Sequence, residues 1–164
     1  MAAKKAFTLI ELIIVIAIIA ILAGAIFVAI DPARRLHETR NARRANDISA
    51  ILDAIKTYQV DAGGDFPTTV AAMTDNLFYQ IGTDDSGCNI SCLGSTTEDP
   101  CVDLSVIGSN YLAKVPYDPG QGEDSATGYG ITKDSNGAIT VIGCYAEGEG
   151  AGGSGTAPDL RVTR

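Results

Sequence analysis

Nineteen consecutive residues, Leu12 to Ile30, carry no charge and no polar side chain; all are Leu, Ile, Val, Ala, Phe or Gly. As a helix rising 1.5 Å per residue the run is about 28 Å long, close to the hydrocarbon thickness of a bilayer. It is apolar all round and long enough to span a membrane. Lys4 and Lys5 ahead of it form a short positive region of the kind that opens a secretory signal peptide. The run is longer than the apolar part of such a peptide, however, and no small-x-small cleavage site follows Ile30. Asp31, Pro32 and an arginine-rich segment follow instead.

Pro32 has no N–H and its ring crowds the preceding turn, so a helix passing this point bends or breaks. Beyond it Leu36, Ile48, Ile51, Leu52, Ile55 and Gln59 recur at helical spacing, which predicts an amphipathic helix to about Val60. Gly63 and Gly64 end it, and Phe66-Pro67 opens an extended or turn segment. Val70 to Ile81 reads as a short helix with Thr68 or Thr69 as N-cap, and Gly82 to Pro100 as a loop tied down by cysteines. Tyr129 to Thr132 and Ala138 to Ile142 read as two strands joined through Asn136-Gly137, because Asn-Gly supplies the positive φ angles of tight hairpin turns. Gly148 to Pro158, small and polar, reads as a flexible loop. The expected fold class is α+β. A long N-terminal helix, apolar in its first half and amphipathic in its second, packs on a small C-terminal antiparallel β-sheet domain.

With 164 residues, 46% of them hydrophobic, the chain suffices for one compact domain of roughly 100 residues plus one long extra element. The formal charge of -8 is unevenly spread. Residues 1–62 hold eight Lys and Arg against six Asp and Glu, a net of +2, while residues 63–164 hold four against fourteen, a net of -10. So acidic a body argues against nucleic-acid contact, which needs clustered Lys and Arg. The one basic cluster is Arg34, Arg35, Arg40, Arg43 and Arg44.

Cys88, Cys92, Cys101 and Cys144 all lie in the acidic half. An exported body favours disulfides over free thiols, with three connectivities open and Cys144 expected to pair with Cys88, Cys92 or Cys101. Zinc is disfavoured because Cys88 and Cys92 have no second close pair and the only histidine, His37, is remote in sequence. Enzymatic chemistry finds little support. Nucleophilic catalysis needs a base, and His37 lies in the predicted stalk helix. The Gly148–Gly155 segment lacks the Lys-Ser/Thr end of a phosphate loop.

The informative residue is one charge in the wrong solvent. Glu11 stands at the edge of the apolar run, where an ionised carboxylate costs something like 2 to 4 kcal/mol, and such residues usually have a partner. No Lys or Arg falls within helical reach on its C-terminal side. Lys4-Lys5-Ala6 followed by Phe7-Thr8-Leu9-Ile10-Glu11-Leu12 and the apolar run resembles the class III signal of type IV prepilins and type II secretion pseudopilins. The resemblance implies a pilin-like fold. It also implies cleavage by a prepilin peptidase between Ala6 and Phe7, on the cytoplasmic side, and methylation of the new Phe7 amino group. Ala6 stands where that family usually has Gly. The resemblance gives Glu11 its partner, the positive nitrogen of Phe7 in an adjacent subunit, and makes Gly24 and Pro32 the points at which the core helix loosens or kinks.

The implied organisation is a leader at 1–6, a transmembrane and filament-core helix at 7–30, an amphipathic stalk helix at 31–62, and a globular acidic α/β head with disulfides at 63–164. The implied product is a structural subunit, a pilin of a type IV pilus-like surface filament. It is single-pass in the cytoplasmic membrane before assembly and extracellular afterwards. The partners would be further copies in a helical filament, the prepilin peptidase, the membrane platform and assembly ATPase of the pilus machinery, and the membrane itself. The alternatives are a pseudopilin of a type II secretion or DNA-uptake system, or a membrane-anchored binding module. By arginine count the positive-inside rule favours the opposite orientation. In the pilin orientation the arginines are expected on the outer leaflet surface or against the acidic body of a neighbouring subunit. Tyr111 to Pro119 resembles the segment before the terminal sheet of major pseudopilins, which carry a calcium site nearby. Asp118, Glu123 and Asp124 are the calcium candidates, although Gly120 replaces the usual aromatic. No other cofactor is expected.

Overall fold

The computed structural model describes residues 7–108 and 110–164. Ala6, and with it the expected leader at 1–6, lies outside the described residues. Helix α1 runs from Leu9 to Ile30 and helix α2 from Pro32 to Asp61. Only Asp31 separates them, in the left-handed region at φ 46° and ψ 73°, a conformation that Asp tolerates better than most residues. Its carboxylate caps α2 by accepting from Arg34 N at 3.3 Å, and Pro32 takes the first helical position, where a missing N–H does no harm. The interruption expected at Pro32 therefore falls one residue earlier, while α1 continues through Gly24 unbroken. At the other end Gly64, at φ 111°, sends its N–H back to Gln59 O at 2.7 Å and closes α2.

The body is a five-stranded sheet in the order β4-β1-β5-β6-β7. Its strands are β1 (Phe78–Ile81), β4 (Glu98–Val102), β5 (Tyr129–Lys133), β6 (Ile139–Gly143) and β7 (Arg161–Thr163). A small separate hairpin pairs β2 (Ser91–Cys92) with β3 (Ser95–Thr96), and α4 (Ser105–Gly108) follows β4. The β5–β6 hairpin turns at Asn136-Gly137, with Gly137 at φ 81°. Tyr129, Ile131, Ile139 and Val141 alternate along β5 and β6, which turns them to one face. There they form a common core with Ile48, Ile51, Leu52 and Ile55 of α2.

Three expectations are corrected. A helix does not form over Val70–Ile81: only α3 (Thr68–Ala71) is helical, and Phe78–Ile81 is a strand. Neither Thr68 nor Thr69 is its N-cap. That place is held by Pro67, and Thr69 Oγ1 donates to Asp103 O at 2.7 Å. The expected antiparallel sheet forms, with one parallel pair at its edge: β1 pairs with β4 in parallel and with β5 antiparallel. An aromatic-rich segment bonded on both edges becomes a strand whatever its local spacing suggests. The glycine-rich segment after residue 148 is not a free loop. Its 3-10 turn, Ala151–Gly153, lies against α2, and a Cβ at Gly153 would fall 2.6 Å from the His37 ring.

Candidate functional site

The N-terminal end of α1 is built by a reciprocal cap. Thr8 Oγ1 accepts from Glu11 N at 3.3 Å, and Glu11 Oε2 accepts from both Thr8 N and Thr8 Oγ1 at 3.0 Å. This is a capping box, with a carboxylate in the first turn where the helix dipole favours it. The Thr-x-x-Glu spacing in the sequence is the signal for this box, and it gives Glu11 a local partner that is not a cation. Phe7, next to the cap, is 85% exposed. From Leu9 to Ile30 no side chain is buried. Among the described residues this is the one helical stretch apolar enough to cross a membrane.

The junction between arm and body carries the arginine cluster, and each arginine finds a carboxylate in its own chain. Arg34 and Arg35 both bond Glu38, at 2.7 and 2.9 Å, and Arg43 lies 3.6 Å from Asp47. Arg40 grips Glu147 through Nη2 at 2.5 Å and Nε at 2.6 Å. Arg44, buried in α2, bonds Asp118 and Glu147. Arg40 and Arg44 thus meet the acidic body of their own chain, while Arg34, Arg35 and Arg43 pair along α2 itself. Hydrogen bonds from Arg40, joined by those from Arg44, outweigh partial burial and bring the Glu147 carboxyl down to about 2. Burial opposes the charge on Arg44, but its bonds to Asp118 and Glu147 prevail and raise its pKa.

Asn41 completes the junction, donating to Glu147 O at 2.7 Å and accepting from Glu147 N at 3.0 Å. His37 Nδ1 lies 2.8 Å from Gly148 O, and Gly152 N donates to Asp31 Oδ2 at 2.7 Å. The single histidine is a contact between stalk and C-terminal segment, with its Nε2 3.5 Å from Glu147 Oε1. Burial, reinforced by the bond from its hydroxyl to Asp47 at 2.7 Å, raises the Tyr129 pKa and keeps the phenol protonated.

The calcium candidates are not brought together as a ligand set. Asp118 gives both oxygens to Arg44 and accepts further from Gly120 N and Gln121 N at 2.8 and 3.0 Å. Asp124 pairs with Lys114 at 2.8 Å, and Glu123 stands beside it on an open surface. Among the described residues no group of three or more His, Cys, Asp or Glu is arranged for a metal. The cysteines are joined as Cys88–Cys101 and Cys92–Cys144. Gly130 makes room for the second pair, since a Cβ there would lie 3.1 and 3.3 Å from its two sulfurs. That bridge covers the sheet face opposite α2.

Residues 1–27 match the prokaryotic N-terminal methylation motif, the class III prepilin signal of type IV pilins and pseudopilins. Such a signal supports a type IV pilin or pseudopilin class, and the family that carries the motif is a structural one. The match ends within α1. No curated protein and no solved structure matches the chain. The signal and the apolar helix together fit a membrane-anchored precursor and a surface filament.

Proposed function

We propose that the chain is a pilin, the structural subunit of a type IV pilus-like surface filament. In this reading it is held in the cytoplasmic membrane by α1, cleaved between Ala6 and Phe7, methylated on Phe7 and assembled through α1. The observation that carries the reading is a helix that buries nothing within its own chain and bears a single charge, Glu11. A fully exposed Leu or Ile side chain forgoes about 1.5 to 3 kcal/mol relative to burial, so α1 cannot leave lipid for water. It can exchange lipid for equivalent helices of neighbouring subunits, which keeps its surface apolar throughout extraction. Within that pack a carboxylate needs a positive partner, and the new amino group of Phe7 on an adjacent subunit supplies one. Once formed, such a pair resists loss of either member, because the other would be left as an uncompensated charge.

Glu11→Ala tests this reading. Expression and cleavage at Phe7 are expected to match the wild type, while filament yield in sheared surface material falls at least about tenfold. Wild-type yield from the variant would remove the role assigned to Glu11.

A further inference from the structure

Four oxygens from three side chains converge on the Arg44 guanidinium. Asp118 Oδ2 lies 2.6 Å from Nε and Oδ1 3.1 Å from Nη2, while Glu147 Oε2 and Asn41 Oδ1 each lie 2.8 Å from Nη1. Arg44 is 1% exposed and Asp118 not at all. The oxygens come from α2, from the loop before β5 and from the segment after β6, so the contact joins three parts of the chain that are otherwise far apart in sequence. Two carboxylates and an amide oxygen form a hard donor set of the kind that suits calcium. Here the cation among them is a side chain. Gly120 fits this arrangement: a Cβ at that position would lie 3.3 Å from Asp118 Oδ1 and 3.5 Å from Arg44 Nη2. A large side chain there would crowd the guanidinium.

We infer that Arg44 is the fixed cation of an oxygen site formed by Asp118, Glu147 and Asn41, so that the body folds without divalent metal and the site accepts calcium only when the guanidinium is removed. A guanidinium held on a helix cannot be chelated or diluted away. The stability of the body is then independent of the calcium outside the cell.

The test is thermal unfolding of the full-length chain in detergent micelles, disulfides intact, in excess EGTA and in millimolar calcium chloride. The wild type is expected to melt at the same temperature in both, within about 1 °C. Arg44→Ala strands the buried Asp118 carboxylate, leaves Glu147 to Arg40 alone, and is expected to melt on the order of 10 °C lower in EGTA. Calcium chloride should restore roughly half of that loss or more, and magnesium chloride less, because magnesium demands stricter octahedral geometry. Arg44→Lys keeps a cation in place and is expected to show little calcium response. Should Arg44→Ala not fold in EGTA, refolding with calcium chloride is expected to recover it. A wild type destabilised by EGTA, or an Arg44→Ala chain that melts or fails to fold identically with and without calcium, would overturn the inference.

Discussion

The two halves of the helical arm share one backbone conformation and are separated by a single residue, yet α1 buries none of its side chains and α2 buries seven. The poorer of the two in apolar residues is the one that holds the body together. In α2 Ile48, Ile51, Leu52 and Ile55 share one face, the β5–β6 hairpin covers it, and each large side chain so buried contributes about 2 kcal/mol. In α1 the apolar residues point everywhere, so no single partner within the chain can cover them. Amphipathicity directs a helix to its own fold, whereas uniform apolarity directs it to surroundings outside that fold.

If this division holds, damage to the body should leave α1 and its membrane insertion untouched. The largest expected effect is removal of the Cys92–Cys144 bridge, which spans 52 positions of sequence. Replacing both cysteines with serine should lower the stability of the body by about 4 kcal/mol, read from thermal unfolding, with membrane recovery unchanged. The comparison sharpens with a matched pair of truncations. Leu52→Ala, at a site with no exposure, should cost about 3 kcal/mol, whereas Ile16→Ala, half exposed on α1, should leave the melting of the body unchanged. Equal losses from the two would break the division.

A smaller effect belongs to the junction. The Glu147 carboxyl falls from 4.5 to about 2 on folding, so above pH 5 the folded chain gains from its ionised form. Below that the unfolded state binds the proton first. Stability is therefore lost as pH falls from about 5 to about 2, by on the order of 2 kcal/mol after allowance for solvent at a quarter-exposed group. Glu147→Gln should melt lower at neutral pH and show a flatter decline through that window.

Much of this arm was legible in the sequence. An uninterrupted apolar run, a proline after an aspartate and a Gly-Gly pair are local signals, and they mark α1, the junction and the end of α2 to within a residue or two. The β5–β6 hairpin was legible for the same reason, through Asn136-Gly137. What escaped was non-local. Phe78–Ile81 is a strand because β4 and β5 flank it, and β7 exists because β6 offers it an edge. Arg44 finds Asp118 across 74 positions, and no spacing rule connects them. Arg40 and Arg44 looked like a surface for another molecule because Asp118 and Glu147 lie far along the chain.

On the proposed reading, α1 finds its partners in other copies of the processed chain. Mass spectrometry of filaments sheared from the cell surface and checked by electron microscopy tests it most directly. Filaments built of subunits that begin at N-methylated Phe7 are the expected result. Subunits that retain Met1, or that begin after Ile30, would contradict it.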